Sequence, residues 1–269
     1  MEITMEIIKN LREQSGAGIV DCKTALTEAG GDLTVAMEIL RKKGIAKAGK
    51  RAERETSQGI IKAWVSPDQR RGHLIELRAE TDFVARNEQF QGLADNILQV
   101  LVDHQPSDLA GLLNLSLGSQ TVREAVDNLS GVIGEKIVLS NCATLTSQGT
   151  VAAYLHAGGS IGVLVAISQA ESGDLAKDIA MQIAASNPRY LTPDQVPMTE
   201  IEKEKEIYRE QLSQEGKPAE IIEKILAGKI NRYFTEVCLT KQEFIKDEQQ
   251  TIEQILGGAV IEKYYRFQL

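Results

Sequence analysis

The sequence predicts an α+β protein: a three-helix N-terminal module, a core of two related halves built on antiparallel sheets, and an antiparallel helical hairpin. Three observations predict it. The first 50 residues carry apolar residues at helical spacing, punctuated by glycines. The middle of the chain repeats itself. Residues 199–236 switch to charged helical texture around a Gly-Pro break.

The repeat is visible residue by residue. Ser57-Gln58-Gly59 recurs as Ser147-Gln148-Gly149. At the same offset of 90, Ala63-Trp64-Val65 matches Ala153-Tyr154-Leu155, Gly72 matches Gly162, and Leu74 matches Leu164. Further on the offset falls to 82: Leu93-Ala94 matches Leu175-Ala176, Ile97 matches Ile179, Leu101 matches Ile183 and Pro106 matches Pro188. The first copy therefore holds eight extra residues, around Thr81–Glu88. A unit that folds without this insert in copy two carries it in copy one for another reason.

In chain order, Ile7, Ile8 and Leu11 give a first helix, which stops at Ser15-Gly16-Ala17-Gly18. A second helix, Ile19 to Ala29, turns Cys22, Ala25 and Leu26 inward and ends at Gly30-Gly31. Asp32 is placed to cap a third, whose carboxylate accepts a free first-turn N–H. That helix sets Val35, Ile39 and Leu40 on one side and frays near Gly44 or Gly49. So small a module needs a neighbouring surface. The basic stretch Arg41–Arg54 reads as a solvated linker, since Glu53 and Glu55 are mixed into it, rather than as an RNA-binding tail.

Gly59–Val65 and Gly72–Arg78 are strands of a hairpin turned at Pro67-Asp68. A helix runs from about Glu88 to Val102, and Thr121 caps another carrying Val122, Ala125, Val126 and Leu129. The second copy is expected to hold strands near Val138–Leu145, Thr150–Leu155 and Ile161–Ser168 and a helix from Asp174 to Ala185. Hairpins followed by grouped helices predict antiparallel sheets with helices on one face. Pro218 starts the second helix of the hairpin at Gly216-Lys217-Pro218. Its seam is Ile201, Ile207, Tyr208 and Leu212 against Ile221, Ile222, Ile225, Leu226 and Ile230. A short helix over Thr251–Leu256 and a strand over Tyr264–Leu269 complete the reading. The domains are set at 1–54, 55–140, 141–198, 199–236 and 237–269.

Bulk properties narrow the function. A formal net charge of −8 speaks against a general nucleic-acid binder. No apolar run suffices to span a membrane, and Met1–Glu6 lacks the features of a signal peptide. Cys22, Cys142 and Cys238 are widely spaced, as expected of reduced thiols in the cytoplasm. His73, His104 and His156 show no metal-ligand spacing with them. No phosphate-binding Gly-rich loop and no nucleophile elbow occurs. Cys142 with His156 could be a nucleophile and base, but a Cys in an apolar strand is ordinarily a small hydrophobe. The chain reads as a binding protein with several surfaces and no cofactor.

Four segments resemble the bacterial elongation factor Ts family in the right order: Leu11–Leu26, Glu76–Ala85, Tyr154–Val165 and the break at Gly216-Lys217-Pro218. The resemblance implies a guanine-nucleotide exchange factor for elongation factor Tu, in its GDP-bound and nucleotide-free forms. It implies a ubiquitin-associated-like N-terminal domain, a core of two subdomains and a protruding coiled coil that could also join two copies. Thr81, Asp82, Phe83 and Val84 correspond to the loop that reaches the partner's Mg²⁺ site. Arg12, Ile19, Val20 and Lys23 match contact positions of the N-terminal domain. Ile133, Gly134 and His156 match core contacts, and Ile245 a further one. Arg78-Ala79 departs from the family's usual Asn-Cys. Some members continue past the position of Leu269 into a helix that also touches the partner, a contact expected to be missing here. Other classes remain open: an adaptor with ubiquitin-like or nascent-chain partners, or an RNA-binding translation accessory.

Overall fold

A computed structural model describes residues 3–15, 17–49, 53–215 and 218–269. The expected glycine turn at Gly16, the basic Lys50 and Arg51, and the break at Gly216-Lys217 lie outside these residues.

Three helices come first: α1 (Met5–Ser15), α2 (Ile19–Glu28) and α3 (Leu33–Gly49). Ile8, Leu11, Cys22, Ala25, Leu26 and Ala36 form their common core. Asp32 caps α3 as expected, its Oδ1 accepting from the Thr34 and Val35 amides at 2.8 and 3.1 Å. That cap sets the phase of the helix so that Ala36 faces inward, while Val35 is exposed, against expectation. The linker expected from Arg41 onward is still helix as far as Gly49. Three of its described charges are paired: Arg41 with Glu124, Lys43 with Glu28, and Arg54 with Glu80.

The core follows as β1 (Gln58–Val65), β2 (Arg71–Ala79), α4 (Asp82–Ala85), α5 (Glu88–His104), α6 (Leu109–Asn114), β3 (Ser116–Leu117), β4 (Gln120–Thr121), α7 (Val122–Ile133) and β5 (Ile137–Thr146). Then come β6 (Thr150–His156), β7 (Ile161–Ile167), α8 (Gly173–Ser186), α9 (Met198–Gln214), α10 (Ala219–Val237), β8 (Glu243–Phe244), β9 (Asp247–Thr251), α11 (Ile252–Leu256) and β10 (Ile261–Gln268). The main sheets are antiparallel, ordered β1-β2-β5 and β10-β7-β6. The strand near Val138–Leu145, expected in the second copy, instead pairs with β2 along its whole length and completes the first sheet.

The repeat extends well beyond the matched residues. Each half is a β-hairpin, a long helix, a small hairpin, a capping-box helix and a third strand. Both capping boxes begin on threonine, Thr121 and Thr251, and both helices end on a left-handed glycine, Gly134 and Gly257. The long helices end on Gln105 and Asn187, both left-handed and offset by the same 82 residues. The hairpin α9–α10 is inserted between α8 and β8, where the first half has only the short α6.

The sheets pack face to face with helices outside. One core lies between the first sheet and α5–α7, and another between the second sheet and α8 with α11. Between the sheets sit Ile61, Leu74, Ala143, Leu145, Val151, Leu164 and Ala166. Two glycines let them approach. A Cβ on Gly162 would lie 2.3 Å from Ile61 Cγ2, and one on Gly72 2.5 Å from Leu164 Cδ1, with Val151 at 2.8 Å. The repeat offset relates the two clusters, so each half lends the other the same gap. Each hairpin tip also bonds the other's first strand: Val151 N–H donates to the Gln69 carbonyl and Ile61 N–H to the Gly159 carbonyl, at 2.6 and 2.9 Å. Gly162→Ala is therefore expected to cost about 1–3 kcal/mol, the usual range for overpacking. Gly92→Ala, in open space within α5, should be neutral or stabilising. Denaturant midpoints of the two variants check this.

The helices α9 and α10 pack on each other through Leu212, Ile222, Leu226 and Ile230. Ile207 and Ile221, expected in the seam, are exposed instead. They fall outside the narrow stripe that two helices bury against each other. At the root of α9, the Glu200 carboxylate accepts from the Tyr190 and Tyr233 hydroxyls and Arg189. Burial and this carboxylate push the Tyr233 phenol up to about 12.

Candidate functional site

The eight-residue insert forms α4 and its flanks. Thr81 caps the helix by accepting the Val84 amide, and Asn87 caps α5 by accepting the Gln89 amide at 2.8 Å. One turn of helix separates its residues by about 100° each, so consecutive side chains point to different sides. Val84 and Ala85 turn inward, at 6% and 8% exposure, into the core under α5. Phe83 turns outward and is 83% exposed. Val84, expected on the contact loop, is thus an anchor: its side chain is spent on the core and presents no surface. Phe83 is no core aromatic. Burying such a ring against a partner is worth about 1.5–3 kcal/mol. Asp82, half-buried, pairs with the exposed Arg86 at 3.0 Å, and an ion pair so open to solvent contributes little.

The loop is braced from the end of α7. The Glu135 carboxylate accepts from the Thr81 amide at 3.0 Å and from the Thr81 hydroxyl at 2.9 Å. Glu80 accepts from the Lys136 amide at 2.6 Å. Asp82 and Phe83 are thereby joined to Ile133, half-buried, and to Gly134, the exposed left-handed cap of α7. Neither glutamate was singled out from the sequence. Each adjoins a singled-out residue, Glu135 following Ile133-Gly134 and Glu80 preceding Thr81, but nothing local pairs the two.

His156 is exposed at the end of β6, its Nδ1 3.1 Å from the Tyr154 hydroxyl. The adjacent Leu155 is also exposed, an apolar surface residue that the repeat comparison had matched only as a strand position. Ile245, in the β8–β9 turn, is exposed and held by its amide donating to Gln182 Oε1 at 2.9 Å. Tyr154, Asp178, Met181 and Lys246 line one hollow of about 360 Å³ between these two places. The chain closes this end of the sandwich: Leu269 N–H donates to the Ser160 carbonyl at 3.1 Å, and Arg78 donates to the Gln268 carbonyl at 2.7 Å. Arg78, the departure from the family motif, is thus spent tying β2 to β10, with Glu76 at 2.5 Å. It does not enter the Asp82-Phe83 turn.

On the N-terminal module, Arg12, Ile19, Val20 and Lys23 are all exposed. Val20, 77% exposed, and Ile19 make an exposed apolar pair at the start of α2. The module leans on α7 through α3 and the Arg41–Glu124 pair at 2.5 Å. A cleft of about 400 Å³ runs between Ser15, Met37 and Leu40 on one side and Gln120, Asn128 and Val132 on the other. The bond from the Thr121 amide, with Arg41 nearby, holds the Glu124 carboxyl below the usual carboxylate range. Cys142 and His156 lie on different sheets. Burial pushes the Cys142 thiol up, away from the reactive thiolate. Among the described residues no group of three or more His, Cys, Asp or Glu could hold a metal, and no helix is long and apolar enough to cross a membrane.

A protein-family model described as Elongation factor TS matches residues 80–269. Elongation factor Ts of Prosthecochloris aestuarii is 42% identical over 284 residues, covering 100% of this chain and 99% of that protein. Elongation factor Ts of Chlorobaculum tepidum is 43% identical, covering 95% and 91%. That of Clostridium perfringens is 40% identical, covering 99% and 92%. Together with the repeat, the inserted loop and the hairpin, these likenesses over the full length show that the chain belongs to the elongation factor Ts family of translation elongation factors.

Proposed function

We propose that this chain is a guanine-nucleotide exchange factor that binds elongation factor Tu and promotes release of GDP. The observation that carries this reading is Phe83, a large apolar ring held out in solvent on a capped turn that the second half of the repeat lacks. The chemistry needs no catalytic residue. GDP is retained by phosphate contacts and by a Mg²⁺ that demands near-ideal octahedral geometry. A rigid wedge that shifts neighbouring helices spoils that geometry, and Asp82, exchanging Arg86 for groups near the ion, helps. The coupling is reciprocal: nucleotide weakens binding of this chain by the factor through which this chain weakens binding of nucleotide.

Partner contact is assigned to three patches: Asp82 and Phe83 with Ile133 and Gly134; His156 with Ile245; and Arg12, Ile19, Val20 and Lys23. The N-terminal helices are read as a ubiquitin-associated-like domain over 1–54. The first core subdomain is extended to residue 146, because β5 pairs with β2 that far. The second spans 147–198 and 237–269, interrupted by a coiled coil over 199–236. Exposed Ile207 and Ile221 make that coil a candidate for joining two copies. Cytoplasmic work follows from the proposed role in translation. The RNA-binding alternative draws less support, because Arg41, Lys43 and Arg54 are committed to carboxylates.

The direct test is release of labelled GDP from elongation factor Tu with and without this chain; no acceleration removes the proposal. A chain lacking residues 1–51 is expected to fold, since the sheet cores do not draw on α1–α3. It should need at least about tenfold more protein for half-maximal release, having lost a patch worth at least 1.4 kcal/mol. An unchanged requirement would assign the N-terminal helices to another partner.

A further inference from the structure

We propose that Glu135 and Glu80 form a crossed latch that positions the Asp82-Phe83 turn for exchange. Two adjacent pairs of residues interlock. Glu135 takes the amide and hydroxyl hydrogens of Thr81, and Glu80 takes the amide hydrogen of Lys136. Each carboxylate therefore pins the backbone of the other strand end at the residue beside its counterpart. Charge-assisted bonds of this kind are among the stronger ones, and neither belongs to a helix or sheet ladder. The pair spans a gap of more than fifty residues in sequence.

The latch does work that the core contacts cannot do. Val84 and Ala85 hold α4 down through apolar packing, which is non-directional. They fix how deep the turn sits, whereas directional hydrogen bonds fix how it is oriented. Thr81 is the residue whose backbone starts the turn, and its hydroxyl both caps α4 and donates to Glu135. With its amide and hydroxyl held, the direction in which Phe83 leaves the surface is set. Arg54 extends the device: it pairs with Glu80 at 3.2 Å, and its carbonyl accepts from Lys136 Nζ at 2.7 Å. Arg54 lies just ahead of β1, where the N-terminal module joins the core. The joint and the wedge are thus tied to one pair of carboxylates. A wedge aimed wrongly by about 1 Å loses rate far more than affinity, because positioning acts on the activated state.

This inference rests on the exchange reading, and the experiment separates the two. The full chain and its Glu135→Ala, Glu135→Gln and Glu80→Ala variants are compared by amide hydrogen exchange and by GDP release from elongation factor Tu. Glu135→Ala should expose the Thr81 amide to exchange while the Lys136 amide stays protected; Glu80→Ala should do the reverse. In GDP release, Glu135→Ala should lower the maximal rate about tenfold or more with little change in the half-saturating concentration. Glu135→Gln keeps an acceptor oxygen for Thr81 and should recover much of that rate. Parent-like maximal rates in Glu135→Ala, with the Thr81 amide freed, would overturn the latch while leaving the exchange reading intact. Equal loss in the Gln and Ala variants, or a global loss of amide protection in both, would overturn it too. Failure of the parent chain to release GDP would overturn the reading beneath it.

Discussion

Phe83→Ala is expected to slow stimulated GDP release about thirtyfold while leaving the melting temperature within a degree or so of the parent. An aromatic anchor at an interface typically carries ~2 kcal/mol or more, and that energy is about a factor of thirty in rate. The stability half of the expectation follows from exposure. At 83% exposed, the ring has almost nothing to lose in the free protein, and surface substitutions stay within about 0.5 kcal/mol. Stopped-flow release of a fluorescent GDP and a thermal scan of the same preparation check both halves. A variant that melts early but exchanges normally would move Phe83 from site to scaffold.

Removing Tyr264–Leu269 should do the opposite. Tyr265, Phe267 and Leu269 pack into the layer between the sheets, and Tyr264 packs on the helix side. The strand alternates as its sequence suggests, yet each face meets a separate core, and its side chains there are half-buried. The same segment accepts from Arg78 through the Gln268 carbonyl and donates from Leu269 to Ser160. These side chains are only partly buried, but several go at once together with the whole strand's pairing to β7, and a domain is held by only about 5–15 kcal/mol. The second half is therefore expected to unfold, shown by a lost or split denaturation transition. A truncated chain that melts normally and fails only in GDP release would make this strand a contact surface.

The parts legible in the sequence were those set by local periodicity and by repetition. Asp32 read as a cap because a short carboxylate beside a helical pattern has few other uses. The insert at Thr81–Glu88 showed because copy two lacks it. The misplaced strand Val138–Leu145 has the same alternating pattern whichever sheet it joins, since pairing partners are chosen by tertiary packing. Val35 and Ile207 were misread for a related reason: a helix of apolar and charged residues offers several phases, and a single cap or a facing helix decides among them. The Glu80–Glu135 brace was invisible because each residue is an ordinary glutamate until the fold brings the two strand ends together. Val84 stood next to Phe83 in a motif and shared its assignment, though a step of about 100° along the helix turns one into the core and leaves the other in solvent.

The hairpin inserted between α8 and β8 has a consequence for how the chain is made. The first sheet already joins β2 to β5 across a long stretch, with Ala79 pairing Ile137 and α4–α7 between them. The second must join Val165 to Tyr264, partners roughly a hundred residues apart. Closing that span waits for synthesis of residues 261–268, and at about 5–20 residues per second the interval lasts several seconds. Through it, the far edge of β7 stays unpaired. The inner face of the second hairpin has the finished first sheet to rest on, through Gly72 and Gly162. The reciprocal tip bonds hold that hairpin on the first sheet, while the β7 edge, the kind that invites wrong pairing, stays open until its own partner strand emerges.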